Sequence, residues 1–453
     1  MERIVTVTLK DVVRNRQCMG CGLCQISIGD RGPDSGVRIG LDKDGERYVP
    51  VSGLDSKVGE NVICPGAKMT LPDLATQVHG SSEPKDPLVG HYRTIQAAYA
   101  NDVDLRFRSA SGGVIPAALN YLFEHNRIDM AYCVVPGNSP GEAQGVLIRS
   151  AVQIDRIHGS VYHPADFGAG LPELIRGEER FAFVGLPCEV AGLEMLKQHR
   201  LELASRHIIS LGLFCGGINS FSGIGYYLEN WGVPMQDVTD INYRDGDWPG
   251  DIRLTRKSSG DVQRLPRIHG NSRWKILRYV IAFQGYWMLE RCRICPDQIA
   301  DFADIAVGDP HLPRFQKGDK RGYSAMIART DRGIQLVREM EAAGVLGTES
   351  LSRDELVESQ GYTLDNRRQV EVYKRMAHYF GMVPPEAMVY SGIEAYRRPR
   401  HRIYAFVDLL KLWLPKNRFI SLFYLPWQIF EYLFLTFAPQ LIIRRLMILI
   451  RNR

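Results

Sequence analysis

Four cysteines near the N-terminus have a spacing that suits iron–sulfur chemistry. Three follow the pattern C-x2-C-x2-C and a distant fourth precedes a proline; they are Cys18, Cys21, Cys24 and Cys64. Three closely spaced thiolates can bind three corners of a cubane, and a remote Cys-Pro supplies the fourth. Gly20 and Gly22 allow the tight backbone turn that such a loop requires. Zinc is the alternative, although structural zinc sites usually use two separated C-x2-C pairs.

Four further cysteines form a second candidate set with a different arrangement. Two follow apolar, strand-like runs and two form a pair in the motif RCRICPD; they are Cys188, Cys215, Cys292 and Cys295. If the two apolar runs are neighbouring strands, the single cysteines lie at strand ends, where ligands collect in α/β sheets. The four thiols would then bind a second four-iron, four-sulfur (4Fe-4S) cluster. The alternative, a small buried apolar residue, is what we expect of the ninth cysteine, Cys133.

A turn of small residues, Ser109-Ala-Ser111-Gly112-Gly113, immediately precedes a helical pattern that begins at Val114. Small residues at a helix N-terminus expose backbone amides and the positive end of the helix dipole, which together bind phosphates. A serine cap with a tight turn would give the same pattern. The sequence has neither the dinucleotide fingerprint after a strand nor a P-loop, so a nicotinamide Rossmann site is not supported. Because clusters pass single electrons, hydride chemistry would need a converter, usually a flavin.

The segments that carry these motifs predict a mixed α/β fold. Short apolar runs alternate with helical patterns between about residues 90 and 340; the runs include IQAAYA, MAYCVVP, FAFVGL, HIISLGLFC and ADIAVGD. The helical patterns include VIPAALNYLFEH and EVAGLEMLKQ, and residues 241–265 resemble a β-hairpin region. The glycine- and cysteine-rich segment before about residue 80 predicts a small loop-built module organised by its metal.

Length and composition restrict the class of protein. A chain of 453 residues with 45% hydrophobic residues can form two or three domains with a buried core. The first seventeen residues lack the apolar stretch of a secretory signal, so we expect a cytoplasmic protein. Thiols in the cytoplasm are kept reduced, which favours metal or redox roles over disulfides for the nine cysteines.

The positive charge is concentrated in the C-terminal tail. From Arg397 onward there are eleven Lys and Arg residues against two acids, whereas the whole chain carries +5. Residues 419–443 are apolar except for Glu431 and are flanked by cations. Two prolines and the carboxylate argue against a straight span, so we expect an anchor lying on the inner face of the cell membrane. A helical hairpin packed on the protein itself or on a partner is the alternative. The pattern does not indicate nucleic-acid binding.

The chain resembles the coenzyme F-420 hydrogenase/dehydrogenase beta subunit family over about residues 15–330. Several motifs in the same order carry the resemblance: SASGG (109–113), GSVY (159–162), GLPCEVAGL (185–193), GLFCGG (212–217), RDGDWPG (244–250) and CRICPDQIADFADIAVGD (292–309). The resemblance implies an α/β domain that binds FAD and one cluster, with a ferredoxin-like module added in many members. Where many relatives have G-S-K-Y, this chain has Val161, which removes a cation that could contact a phosphate or an anionic substrate.

The patterning of the chain and the resemblance together imply an organisation and a set of roles. The expected parts are a ferredoxin-like 4Fe-4S module (1–80), the N-terminal part of the flavin domain (88–170), its C-terminal part with the second cluster (171–340), a helical region (341–400) and a hydrophobic basic tail (401–453). The second cysteine set takes the family's cluster role. The expected flavin-site residues are Ser109, Ser111, Gly112, Gly113, Gly159, Ser160 and Tyr162.

The expected activity is an electron relay. A low-potential donor, ferredoxin or reduced coenzyme F-420, would pass electrons to an organic acceptor through two 4Fe-4S clusters and FAD. The alternatives are a non-catalytic electron-transfer subunit that serves a larger reductase, a ferredoxin-dependent reductase of a tetrapyrrole-like substrate, and a zinc-stabilised adaptor protein. The sequence does not identify a general acid or base; Asp309 and His311 are candidates, although an aspartate after a strand is more often a turn residue.

Overall fold

The computed structural model describes most of the chain. The described residues are 7–28, 34–137, 142–157, 159–267, 279, 282–283, 286–393, 402 and 405–410. The apolar segment predicted to anchor the protein to a membrane lies outside this set, so the anchor stays a prediction. Among the helices that the structure describes, none has both the length and the apolar character needed to cross a bilayer.

The described residues form short helices and strands. The strands are β1 (Ile39–Leu41), β2 (Tyr48–Pro50), β3 (Lys68–Thr70), β4 (Thr94–Ala100), β5 (Met130–Pro136), β6 (Ala143–Ile148), β7 (Phe181–Gly185), β8 (His207–Leu213), β9 (Val238–Asp245), β10 (Asp251–Arg256), β11 (Val262–Leu265), β12 (Ile305–Gly308), β13 (Ser324–Ala328), β14 (Leu346–Ser350) and β15 (Glu386–Met388). The α-helices are α1 (Leu9–Arg14), α2 (Leu71–His79), α3 (Val103–Arg108), α4 (Val114–Glu124), α5 (Leu171–Arg176), α6 (Pro187–Lys197), α7 (Leu201–Arg206), α8 (Phe221–Glu229), α9 (Glu290–Arg293), α10 (Pro313–Gln316), α11 (Asp331–Ala342), α12 (Arg353–Ser359) and α13 (Gly361–Ala377).

An eight-stranded sheet forms the centre of the fold, with the strand order β14-β4-β13-β12-β8-β7-β5-β6. The four strands β12, β8, β7 and β5 are parallel, and the strands at both sides are antiparallel. Parallel strands that are covered on both faces are apolar throughout, and β7 is buried at every position. The mixed α/β architecture predicted from the apolar runs is therefore confirmed.

Both faces of the sheet carry a hydrophobic core. Alternate residues of one strand enter different cores: Phe181 and Phe183 pack on one face, whereas Ala182 and Val184 pack on the other. Helices α2, α5 and α6 cover the first face, and α4 and α11 cover the second. This alternation follows from the two-residue period of a β-strand.

The segment between α8 and α9 contains a second, smaller sheet. Strands β9, β10 and β11 are antiparallel neighbours, as the hairpin pattern predicts. Their apolar side packs on α8, with Tyr227, Tyr243 and Ile252 fully enclosed. This unit places Arg244 and Trp248 beside the carboxyl end of β12, through contacts of both side chains with Asp309.

The segment 341–400 is less uniformly helical than the sequence pattern indicates. It contains α12 and α13, and it also contains β14, which pairs with β4 at the edge of the main sheet. Strand β15 pairs with β3 of the N-terminal module in parallel. The segment that follows α13 thereby contacts the N-terminal module.

Candidate functional site

The first cysteine set lines one internal space. Cys18 and Cys21 precede the 3-10 helix Leu23–Gln25, and Cys24 lies within it. Gly20 and Gly22 both have the left-handed backbone conformation, with φ of 75° and 68°, so the glycines make the turn that the spacing predicts. The loop after Ile63 brings the fourth thiol, and all four cysteines border one small internal space.

The four thiols of the first set are buried close to one another. Burial raises the pKa of each thiol, and neighbouring sulfurs raise it further in three of them: Cys64 acts on Cys21 and Cys24, and Cys18 acts on Cys64. The pKa of Cys64 is raised to about 11. Thiols bind metal as thiolates, so metal binding here would release protons.

The second cysteine set assembles at the carboxyl ends of β7 and β8. These strands are parallel neighbours, and Cys188 lies in the first turn of α6 after β7, while Cys215 follows β8. Cys292 lies in α9 and Cys295 follows it. The expectation that the two single cysteines emerge side by side is therefore met by the sheet order.

Electrostatic contacts link all four sulfurs of the second set. Burial is the main cause that raises the pKa of each thiol, and in three of them repulsion between sulfurs adds to it: Cys295 and Cys215 act on Cys188, and Cys292 acts on both Cys215 and Cys295. The backbone N–H of Ile218 donates to the sulfur of Cys292 at 3.4 Å. Such N–H···S contacts stabilise thiolates, and the pKa of Cys292 is correspondingly lowered by this bond against the effect of burial.

The two sets lie close to each other. The sulfur of Cys21 contributes to the raised pKa of Cys188, and the carboxyl of Glu189 acts on both of these thiols. Burial raises the pKa of Glu189 itself to about 8. Helix α6 brings the two sets together. Its Gly192 lies so close to Leu23, in the loop of the first set, that an added Cβ would stand 2.1 Å from the Leu23 side chain.

A single metal ion and a cluster make different demands on the cysteines. In the part of the chain that the structure describes, no three His, Cys, Asp or Glu side chains are gathered closely enough to hold one metal ion. Thiolates of a zinc site converge on one ion, whereas those of a cubane each bind a different iron. For a cluster, the relevant test is whether four thiols border one space, and the first set does so.

The predicted flavin turn at residues 109–113 is tightly bonded to the main sheet. The hydroxyl of Ser109 donates to the carbonyl of Leu105 at 2.7 Å, and the hydroxyl of Ser111 donates to the carbonyl of Tyr323. Gly112 lies so close to β4 that an added Cβ would stand 2.4 Å from the carbonyl oxygen of Ala98. Both hydroxyls are therefore engaged in the protein, and so is the backbone N–H of Gly112, which donates to the hydroxyl of Ser324 at 3.0 Å.

Tyr162 of the motif GSVY lies between two buried arginines. Arg244 and Arg267 each approach its phenolic oxygen at 3.3 Å. Burial alone would raise the pKa of Tyr162, but the two guanidiniums, Arg267 first, lower it below its ordinary value. Gly159 in the same motif has a φ of 83°, and a Cβ there would meet the side chain of Asn242 at 3.0 Å. Ser160, which lies between Gly159 and Tyr162 in the sequence, is half-buried.

Asp309 is a fixed anion in the group of side chains around Tyr162. Arg244 donates to both carboxylate oxygens, at 2.8 and 3.0 Å, and the indole N–H of Trp248 donates to one of them at 3.1 Å. Burial would raise the pKa of Asp309, but the charge of Arg244 and its hydrogen bonds lower it strongly. Asp309 therefore stays ionised at neutral pH and is poorly suited to move protons. His311 is exposed two residues later.

The flavin turn and the group of side chains around Tyr162 meet at one glycine. A side chain at Gly322 would stand 2.9 Å from the indole of Trp248 and 3.0 Å from the carbonyl oxygen of Ser111. The two motifs are well separated in the chain and share this neighbour in space. The motif RDGDWPG is visible in the sequence but indicates no role for Arg244. Arg267 gives no local signal beyond a cation that precedes a stretch without acids.

Two family models match this chain in succession. Both describe the beta subunit of coenzyme F-420 hydrogenase/dehydrogenase: the model of its N-terminal part matches residues 95–171, and the model of its C-terminal part matches residues 178–354. The second match contains all four cysteines of the second set. The first match contains the flavin turn and the motif GSVY.

Two curated relatives agree with the matches of the family models. The coenzyme F-420 hydrogenase subunit beta of Methanococcus voltae is 24% identical over 270 residues, which are 58% of this chain and 86% of the relative. The coenzyme F-420-dependent sulfite reductase of Methanocaldococcus jannaschii is 23% identical over 283 residues, 59% of this chain and 41% of the relative.

A chain of the F-420-reducing NiFe hydrogenase complex from Methanosarcina barkeri has the same fold. It superposes with a TM-score of 0.51 at 19% identity, over 68% of this chain and 99% of the other. The family models together match more than half of the present sequence. This chain therefore belongs to the coenzyme F-420 hydrogenase/dehydrogenase beta subunit family and is an oxidoreductase.

Proposed function

We propose that this chain relays electrons between a low-potential donor and an organic acceptor through two 4Fe-4S clusters and FAD. The observation that carries the proposal is the grouping of eight buried or half-buried cysteines into two adjoining sets of four. A cubane is commonly held by four thiolates, so each set provides one complete ligand group. Family membership supports the redox class of the activity.

Each cofactor would supply a defined part of the chemistry. Bound clusters would carry single electrons, and a bound flavin would exchange single electrons for a hydride. The chain's own residues perform the other tasks. The cysteines of both sets bind iron after losing their protons, and burial keeps water from the sulfurs. The backbone amide of Ile218 stabilises the charge on Cys292.

The flavin site that we propose combines the turn 109–113 with the motif GSVY, including Gly159, Ser160 and Tyr162. Among the described residues, Arg244 has a carboxylate partner in Asp309, while the guanidinium of Arg267 donates to carbonyl and phenol oxygens and its backbone N–H donates to Asp251. The sequence between Arg267 and Glu290 contains no acid. This surplus of positive charge suits the phosphates of FAD and would offset the missing cation at Val161.

Reduced coenzyme F-420 and reduced ferredoxin are the donors that we propose to test. Relatives named as F-420 hydrogenase beta subunits and as an F-420-dependent sulfite reductase support the first. Each donor is mixed anaerobically with oxidised protein while the visible absorption of flavin and clusters is followed. We expect one donor to bleach both chromophores, and much slower bleaching in Cys188→Ser. If neither donor reduces protein that contains iron and flavin, the relay proposal is wrong.

A non-catalytic electron-transfer subunit is the second candidate. Several relatives are named as subunits of F-420 hydrogenase or dehydrogenase, which supports a redox partner for this chain as well. Steady-state assays separate the candidates. A catalytic chain turns over donor and acceptor alone, whereas an electron-transfer subunit is reduced once and then needs its partner for further turnover.

The basic tail is proposed to hold the protein on the inner face of the cell membrane. Its charge, eleven cations against two acids from Arg397 onward, suits anionic lipid. Full-length protein is compared with protein that ends at residue 410 in sedimentation with vesicles of anionic or neutral lipid. Only the full-length protein should sediment, and only with anionic vesicles. Equal sedimentation of both proteins would exclude the tail as anchor.

A further inference from the structure

Arg291 is a buried arginine that touches the loops of both cysteine sets. Only 2% of its surface is exposed. Its Nε donates to the carbonyl of Gly66 at 3.0 Å and one Nη to the carbonyl of Pro65 at 3.2 Å. Its other Nη donates to the carbonyl of Ile294 at 2.9 Å. Pro65 and Gly66 follow the last cysteine of the first set, and Ile294 stands between the paired cysteines of the second.

Among the residues that the structure describes, no carboxylate balances the charge of Arg291. Two other fully buried arginines form ion pairs: Arg329 lies 3.3 Å from Asp301, and Arg367 lies 3.2 Å from the same residue. In the described part of the chain, no carboxylate oxygen lies within 4.0 Å of the Arg291 guanidinium. Carbonyl oxygens satisfy its N–H groups but provide no negative charge.

An unbalanced buried charge is unfavourable unless an opposite charge lies near. Thiols become anionic when they bind iron, so the sulfurs of the two sets are the groups whose charge can balance Arg291. Its guanidinium donates to the carbonyls of Pro65 and Gly66, next to Cys64, and to that of Ile294, between Cys292 and Cys295. One guanidinium therefore lies beside two metal sites at once. With four thiolates, each cluster site is anionic and becomes more anionic on reduction.

We propose that Arg291 is the shared counter-charge of both cluster sites and raises the reduction potential of each. This inference rests on the proposed function, since it requires the clusters. A nearby cation favours the more anionic, reduced state of each cluster by Coulomb attraction. Because its three hydrogen bonds join the Cys64 loop to the Cys292–Cys295 loop, Arg291 also positions the two sites relative to each other.

The test is a redox titration of anaerobically purified full-length protein, followed by electron paramagnetic resonance of the reduced clusters. Arg291→Gln removes the charge and keeps a hydrogen-bond donor. We expect both potentials to fall, with the reduced-to-oxidised ratio at a fixed potential about tenfold lower, which corresponds to about 59 mV. Arg291→Lys retains the charge and should keep both potentials near those of the wild type.

A control separates charge at the clusters from loss of an arginine that bonds to backbone carbonyls. Arg206 is only half-buried, but like Arg291 it donates to three backbone carbonyls, those of Glu179, Leu174 and Ile175. It precedes the amino end of β8, whereas Cys215 follows the carboxyl end of that strand. Arg206→Gln should leave both potentials unchanged.

The possible results are distinct. Unchanged potentials in Arg291→Gln overturn the inference, and so does a fall in only one of them, because the counter-charge would not be shared. If Arg291→Gln does not fold, the test uses Arg291→Lys. Because that variant keeps the charge, a tenfold shift of both reduced-to-oxidised ratios would also overturn the inference. Wild-type protein without iron would instead refute the proposed function.

Discussion

At the scale of single residues, burial determines how the ionisable groups of this protein behave. The thiols of both cysteine sets have raised pKa values because water is excluded from them, and their proximity to one another adds to the effect. Asp309 shows the opposite case, since a bidentate arginine keeps it ionised despite its burial. These pKa differences depend on neighbours that are distant in the chain. Residue type alone therefore does not show that Asp309 is a fixed anion and not a general base.

His79 illustrates the same principle outside the site. Its ring stacks on that of His91 with 4.5 Å between centroids, and its Nε2 donates to the carbonyl of Asp301 at 2.9 Å. Burial is the main cause that lowers the pKa of His79, to about 4. The charged imidazolium is therefore disfavoured in the folded protein.

We predict that His79 makes the folded protein less stable in mild acid. The unfolded residue titrates near 6.5, so between pH 6.5 and about 4 the unfolded state binds more protons than the folded state. Stability is thus fully present above pH 6.5 and falls as pH decreases through this window, by about 3 kcal/mol in total. Urea unfolding of wild type and His79→Gln at several pH values measures this, and the variant should lose less stability. Parallel pH profiles would contradict the account.

At the scale of elements, helix α6 and the 3-10 helix Leu23–Gln25 bring the two cysteine sets together. Helix α6 begins at Pro187, so its first turn carries Cys188, and one turn later Gly192 leaves room for Leu23. Gly22 and Gly168 form a second close contact, since a Cβ on Gly22 would stand 2.4 Å from the Cα of Gly168. These glycines allow the N-terminal module to approach the main domain.

We predict that Gly22→Ala weakens this approach. An alanine at Gly22 would need a left-handed conformation, with φ near 68°, and would collide with the backbone of Gly168. Backbone strain and overpacking together should lower the free energy of unfolding by about 2–4 kcal/mol, measured by urea denaturation.

Gly45→Ala is the control for Gly22→Ala. Gly45 has nearly the same φ, 69°, but a Cβ there would have no neighbour within 4 Å. Its substitution should therefore show the backbone strain alone, about 1–2 kcal/mol. Equal losses in the two variants would mean that the close approach to Gly168 does not contribute.

Prediction from sequence succeeded where the signal was local. The apolar runs correctly predicted β4, β5, β7, β8 and β12, because strands inside the sheet have little polar interruption. Strand β14 was not recognised, since it lies at the sheet edge and its sequence LGTES is apolar only at Leu346. The bond from Arg291 to Pro65 joins residues 226 positions apart, and no spacing rule predicts such a contact.

At the scale of the whole molecule, the fold joins three sequence-distant motifs around the carboxyl ends of the central strands. The first cysteine set comes from the N-terminal module, the second from the strand ends, and the flavin turn from the start of α4. Sequence spacing identified the members of each set. Only the sheet order and the glycine contacts show how the sets adjoin, because these depend on tertiary packing.

The measurement that tests this account most directly is the content of iron, acid-labile sulfide, zinc and flavin in anaerobically purified protein. The wild type should contain about eight irons and bound flavin. Cys24→Ser and Cys188→Ser should each retain about four irons, and Cys133→Ser, which changes a buried residue of β5, should retain all. Zinc in place of iron, or iron that is unaffected by both ligand variants, would contradict the two-cluster assignment.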